Sequence, residues 1–334
     1  MSRLSSALVL ICLLLFPSKT FAQIIPDNTL GPESSRTVTD TINNLPIDRI
    51  SGGAPRGSNL FHSFREFNIG EGRGAYFESA IGITNIFTRV TGSNSSNILG
   101  TLGVLGNGNL FLINPKGIVF GPNARLDVGG SFLGSTADSI VFNNGFEFSS
   151  TNPQAAPLLT VNIPVGLRFR ENSGTIVNRS NATGELNLPP SSIPIPITNQ
   201  VGLAVEIGQA LALIGGDIQL PSGNLTANNG QMLLGSVASP GTVNFAQTPL
   251  GINLNYDNIS NFGNIQISGG SLLNTSGAGG GKVDIRGENV TVSGSRIYAL
   301  TLGNTDGRGI DINSRNLRID GGSQLSTFTL GGGA

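Results

Sequence analysis

Residues 280–303, GGKVDIRGENVTVSGSRIYALTLG, recur in residues 307–331 as GRGIDINSRNLRIDGGSQLSTFTLG. Val283, Asp284 and Ile285 align with Ile310, Asp311 and Ile312, Asn289 with Asn316, and Gly294 with Gly321. One residue is inserted after the shared glycine, and a fainter copy, GNIQISGGSLLNTSG, begins at residue 263. Short strands and glycine turns repeated every few tens of residues mark stacked coils. A single coil cannot bury its own apolar side chains, so stability has to come from stacking on neighbours. Asparagine suits tight corners because it tolerates left-handed φ and bonds its own backbone. The chain is therefore expected to be all-β, a right-handed parallel β-helix. A β-sandwich, the alternative architecture, leaves the repeat unexplained.

Working upstream, the pattern extends to about residue 98 through NLFLIN, GIVFG, DSIVFNNG, GTIVN, ALALIGGDIQL and GQMLLGSV, with glycine or asparagine between the runs. No helical periodicity interrupts them. The Pro-rich stretch 187–200, NLPPSSIPIPITNQ, reads as a projecting loop because proline cannot donate to a ladder. Residues 59–79, NLFHSFREFNIGEGRGAYFES, stay open: Phe61, Phe64 and Phe67 fit a helical turn, whereas FNIG and GAYF read as strands. Residues 23–58 look polar and turn-rich.

Charged residues are 12% of the chain and the net charge is −1, which supplies no basic field for nucleic acid and no polybasic membrane arm. The N-terminus reads as a signal peptide over residues 1–22: a basic start, the apolar run LVLICLLLF, and a small-residue cleavage site between Ala22 and Gln23. No integral membrane span is expected once the signal is removed. The single cysteine, Cys12, lies inside it, so the mature chain is cysteine-free. A chain that must stay threadable would be trapped by disulfides, although a long fold with a large core also needs none.

Catalytic constellations are missing. His62 is the sole histidine and sits beside Phe61, a structural setting. GGGK at 279–282 resembles the end of a phosphate loop, but Ser276 and Val283 stand where a glycine and a hydroxyl residue are required. DGRGIDIN at 306–313 resembles a calcium-binding roll repeat but occurs once, with Asn313 at the apolar position. Asp284, Asp311 and Asp320 recur with the repeat and fit solvated strand or turn positions. No catalytic residue, metal ligand or cofactor is assigned.

Asn114, Pro115, Lys116 and Gly117, followed by Ile118, fit a type I turn residue by residue: Asn bonds forward, Pro presets φ, and Gly relaxes the fourth position. As physics, this is a corner between LFLI and IVF. The segments LFHSFREFNIGEG, SNILGTLGVLGNGNLFLINPKGIVFGPNARLDVGGSFLGSTA and GQALALIGGDIQLPSGNLTANNGQMLLGSV together resemble the filamentous-haemagglutinin N-terminal (two-partner secretion) domain, in the form common in cyanobacterial surface exoproteins. The family signature is Asn-Pro-Asn-Gly-Ile; Lys116 replaces its central Asn, which implies either ordinary type I geometry or mild strain there. A second Asn-Pro motif of the family is not recognisable, and SNSSN at 93–97 occupies its neighbourhood.

The resemblance covers residues 45–250 best. It implies a secretion domain over 23–250, with an N-terminal capping segment and short extra-helical strands, and residues 251–334 as the truncated start of passenger repeats. It further implies export through the periplasm by an outer-membrane barrel transporter with periplasmic docking domains. The destination is the cell surface or the medium, with an adhesin or structural role toward surface or matrix glycans and proteins. Asn114, Pro115, Lys116, Gly117 and Ile118 become the candidate secretion motif. A haemolysin or toxin exoprotein, or a polysaccharide-acting β-helix enzyme, are the alternatives.

Overall fold

The computed structural model describes residues 23–154, 163–186, 188–189, 197–248 and 251–330. The expected signal segment, residues 1–22, and most of the Pro-rich stretch 187–200 lie outside the described residues. Among those described, the chain is strands and turns with one 3-10 turn at Gly31–Glu33 and no α-helix.

Parallel strands stack into a three-sided β-helix. The first face runs Asn59–Phe67, Asn85–Val90, Asn109–Ile113, Phe132–Ser135, Ala210–Gly215, Gln231–Ser236, then the leading halves of Lys282–Ser293 and Ile310–Asp320. The second runs Ser96–Ile98, Ile118–Phe120, Ile176–Asn178, Ile218–Pro221, Asn264–Ser268 and the trailing halves of those two long strands. On the third face, Leu45–Gly52, Gly74–Glu78, Thr101–Leu105 and Arg125–Asp127 form one ladder. Leu203–Ala204, Leu225–Thr226, Leu272–Asn274, Arg296–Tyr298 and Gln324–Ser326 form the next.

The repeat of the sequence is the register of the coils. Val283 pairs with Ile310, Asp284 with Asp311 and Asn289 with Asn316, and beyond the shared glycine Arg296 pairs with Gln324, one residue later. Asparagines stack at equivalent corners: Asn109 donates to Asn85 (3.0 Å) and Asn85 to Asn59 (3.0 Å), while Asn316 donates to Asn289 (2.8 Å) and Asn289 to Asn264 (2.7 Å). In the first ladder each bond satisfies a buried or half-buried amide, in the second the amides are exposed, and in both each bond fixes one coil on the next.

Three excursions leave the helix. Ser139–Phe142, Glu147–Ser149, Pro164–Phe169, Gly241–Thr248 and Gly251–Asn255 form an antiparallel sheet outside the first face. A third excursion begins after Ser180 and returns near Gln200, where Thr183 bridges Gln200. The sheet explains why NLFLI, ALALIG and QMLLGS are continuously apolar: Leu110, Leu112, Leu211, Leu213, Met232 and Leu234 point into the helix. Phe111, Ile113, Ala212, Ile214 and Leu233 point outward into a second core beneath the sheet. Strands buried on both faces lose the two-residue alternation. Past that cover the alternation returns: in Lys282–Ser293, Val283, Ile285, Val290 and Val292 are buried while Asp284, Arg286 and Thr291 are half-exposed.

The Phe-rich segment is strand, Asn59–Phe67 then Gly74–Glu78, not helix. Phe64 and Phe67 enter the main core, and Phe61 stacks on Phe87 (5.3 Å) in the second. Residues 23–58, read as turn-rich, are largely strand as well: Ile24–Pro26, Ser35–Ile42, Leu45–Gly52 and Ala54–Arg56. In Ser35–Ile42 the apolar-in, polar-out pattern is reversed, with Ser35 buried and Val38 exposed, so periodicity did not report the strand. A hairpin turn at Asn43–Asn44, both with positive φ, joins the middle pair.

Candidate functional site

The turn Asn114–Gly117 takes the chain from the first face to the second. Gly117 N–H closes it on Asn114 C=O (3.0 Å), and Asn114 Oδ1 accepts from Lys116 N–H (2.9 Å). Lys116 is not among the positive-φ residues; the unusual conformation falls on Gly117 (φ 118°), where a Cβ would stand 2.9 Å from Thr175 C=O.

The turn is clamped between the corners of its two neighbouring coils. Below it, Asn114 Nδ2 donates to Asn94 C=O and Ser96 Oγ, both 3.0 Å, and Ser96 N–H donates to Gly117 C=O (3.0 Å). Above it, Gly174 N–H donates to Pro115 C=O (2.9 Å) and Ile118 N–H to Thr175 C=O (3.2 Å), while Asn114 N–H reaches Ser135 C=O (2.9 Å). A Cβ on Gly174 would lie 2.5 Å from the Lys116 carbonyl carbon. Asn114, Pro115, Gly117 and Ile118 are buried and only Lys116 is exposed. The SNSSN stretch is thus the floor on which the turn rests.

Gln23 is exposed, and its carbonyl accepts from Asn68 N–H (3.2 Å), so the described chain starts against the end of strand Asn59–Phe67. Ala22 lies outside the described residues.

His62 is buried in the capping region, its Nδ1 2.9 Å from Ser35 Oγ and its ring 5.1 Å from Phe77. Burial pushes its pKa down to about 3. Beside it lies a polar cluster that sequence reading did not single out. Asp27 accepts from Thr29 N–H, Thr29 Oγ1, Ser63 Oγ and Thr91 Oγ1. Burial raises its carboxyl, but those four bonds outweigh it and hold the group below the usual range. Arg89 is fully buried; Nε reaches Ser63 Oγ (2.9 Å), one terminal nitrogen reaches Thr29 Oγ1 (2.8 Å), and the guanidinium lies 4.3 Å from the Phe148 ring centroid. Burial lowers its pKa to about 10, against the pull of Asp27. The cluster ties the first strand to the first face and to the outer sheet. The arginine in NIFTRV was its one visible trace.

The other residues weighed in the sequence are dispersed. Lys282 Nζ bridges Asp284 (3.2 Å) and Asp311 (3.1 Å) on the first face, and Asp320 sits at a strand end against Arg318 (2.6 Å). Gly280 and Gly281 form a coil corner, with Gly281 N–H on Thr275 C=O (2.7 Å). Asn224 is buried and holds Leu272 N–H (2.8 Å).

A family model described as the TPS secretion domain matches residues 22–326. The search of curated proteins found no match. Among solved structures, the HMW1 secretion domain from Haemophilus influenzae is 19% identical, with a TM-score of 0.45, 89% of this chain and 72% of that chain covered. A filamentous hemagglutinin secretion domain is 15% identical, with a TM-score of 0.43, covering 92% of this chain and 99% of that one.

Proposed function

The chain belongs to the family of TPS secretion domains, the export-directing parts of two-partner secretion exoproteins, and from that premise we propose that it carries a surface or secreted exoprotein through a dedicated outer-membrane barrel transporter. The signal of residues 1–22 delivers it to the periplasm. There the transporter's periplasmic domains engage the unfolded or partly folded chain, which folds coil by coil after passage. The exported protein serves as an adhesin or structural surface component.

The observation that carries the reading is the family match across nearly the whole described chain. The burial of the turn sets how an address at Asn114–Ile118 has to work. Four of its five residues are covered in the folded state, so the transporter reads the motif before folding, and folding then hides it. We also keep the secretion domain at 23–250 and the passenger repeats from 251 onward as part of this reading. Its support is that the last outer-sheet strand ends at Asn255, after which the coils run without a covering sheet.

The test is export from a Gram-negative host with and without the transporter, quantified in medium, surface and periplasm. An Asn114→Ala/Gly117→Val pair should lose export. Gly174→Ala, which collides with the turn only once coils stack, should still leave the cell. Transporter-independent release, or folded protein retained in the periplasm, overturns the function. Equal loss in both variants returns the turn to plain architecture.

A further inference from the structure

The third face ends, at the N-terminal side, in strand Ser35–Ile42 with sequence SRTVTDTI. It pairs with Leu45–Gly52 through eight unbroken antiparallel pairs, and no strand among the described residues pairs with its other edge. Natural edges are blunted by proline, bulges or charged side chains, lysine above all; this one has no proline, bulge or lysine, and its two charges, Arg36 and Asp40, are of opposite sign.

The hairpin fixes which backbone groups face outward. In a two-residue hairpin the residues flanking the turn, here Ile42 and Leu45, form a hydrogen-bonded pair, and bonding alternates from there. Even-numbered residues therefore bond inward. Ser35, Thr37, Thr39 and Thr41 turn N–H and C=O to the open edge. Pro46 opposite Thr41 agrees, because a residue without N–H belongs in a non-bonded pair. Thr41 N–H is already taken by Asp40 Oδ1 (2.8 Å), and Ser35 is buried against His62. The free centre of the edge is Thr37 and Thr39.

We propose that this edge pairs with the same edge of a second copy of the chain, antiparallel and centred on Val38. In that register Thr37 and Thr39 of each copy exchange hydrogen bonds with Thr39 and Thr37 of the other. On the outer face Val38, which is 60% exposed, meets its own counterpart. Arg36 stands across from Asp40 of the second copy, and the two-fold axis supplies this pair twice. Asp40 is held ionised by Thr41 N–H and by Arg49, whose guanidinium contacts its other oxygen. Sliding the register by two residues in either direction keeps the backbone bonds but sets Arg36 against Ile42 or Val38, so the charge pattern selects one alignment and one partner. The two third-face sheets become one continuous sheet.

Eight residues of edge make a small contact, so the dissociation constant should be on the order of 100 µM. Sedimentation of the purified protein from about 10 µM to about 1 mM should show a monomer–dimer equilibrium that weakens several-fold as salt rises. Thr39→Pro removes an edge N–H without touching an internal bond and should abolish the dimer. Arg36→Glu, which faces Asp40 with like charge, should weaken it at least tenfold while leaving the circular dichroism spectrum and melting temperature unchanged. A protein that remains monomeric at about 1 mM, or a dimer indifferent to both variants, overturns the proposal. Monomeric protein whose export fails with Thr39→Pro would assign the edge to a different strand and overturn it too.

Discussion

Asn114 offers a sharp test of whether the turn is held as a fixed corner. Its side chain makes three hydrogen bonds, to Lys116 N–H, Asn94 C=O and Ser96 Oγ. Asn114→Ala removes all three, each worth about 1 kcal/mol. Lys116 and Asn94 are exposed and recover water, so the net loss should be about 2 kcal/mol. Asn114→Asp preserves the acceptor for Lys116 N–H but turns a carboxylate oxygen toward the Asn94 carbonyl at the position where Nδ2 now donates. A buried carboxylate facing a carbonyl costs about 3–5 kcal/mol. Its folded pKa must therefore lie above the unfolded value near 4. The sign follows: the penalty is present in full above the folded pKa and fades as pH falls toward 4, where the protonated acid can donate to Asn94. Equilibrium urea unfolding at pH 7 should rank wild type above Ala above Asp, and near pH 4.5 Asp should overtake Ala. The background titration of His62 is common to all three proteins and cancels in the comparison. An Asp variant as stable as Ala at pH 7, with a gap that does not move with pH, would refute the buried-corner account.

His62, neutral in the fold with its pKa near 3, contributes stability above the unfolded value near 6.5 that is lost as pH falls toward 3. Between pH 7 and pH 5 this amounts to about 2 kcal/mol, and His62→Gln should flatten that part of the stability–pH curve. At Gly103 a Cβ would enter the Tyr76 ring, which crosses the glycine to donate its hydroxyl to Asp127 (2.8 Å). Gly103→Ala should cost about 1–2 kcal/mol and bring the Tyr76 phenol, now raised by burial and then by Asp127, back toward pH 10 in an absorbance titration. Ending the chain after residue 240 removes Gly241–Asn255 and uncovers Phe111 and Leu167, so the shortened protein should bind a hydrophobic dye and be cleaved by protease far faster than one ending after residue 260. Equal resistance would show that the outer sheet is dispensable.

The β-helix was legible because the repeats at 280–303 and 307–331 carry no excursion and strand Lys282–Ser293 buries only one face. Their alternation and register survive in the residues. Further upstream the same architecture is hidden twice over. Excursions push Phe132 and its partner Leu211 far apart in sequence, and the outer sheet replaces polar outward residues with Phe87, Phe111 and Leu133. Periodicity cannot report a second buried face. The turn was legible because its chemistry is local: Asn bonds two residues on, and glycine supplies the one positive φ. Its clamping by Asn94, Ser96 and Gly174 was not, since stacking partners depend on register. The Asp27–Ser63–Arg89 cluster stayed hidden for the same reason, its members being joined only when the first strand docks.

These two scales of contact set an order on folding. Coil-on-coil bonds, such as the asparagine ladders, link residues 24 to 27 apart and can form as the chain emerges. The second core cannot. Phe61 packs on Phe148 (5.0 Å) and Phe111 on Phe245 (6.2 Å), so the first coils wait for residues several coils further along the chain before their outer surface is covered. Arg89 adds a lock to the same step: Ser63 on the adjacent coil holds its Nε from the start, but Thr29 and the Phe148 ring cover the rest of the guanidinium only when the first strand and the outer sheet are both in place. Under the function proposed above, this interval between early stacking and late closure is when the transporter reads the chain, Asn114–Ile118 included. Closing the outer sheet, by burying the second core, then supplies the stability that favours the folded chain on the far side in that reading.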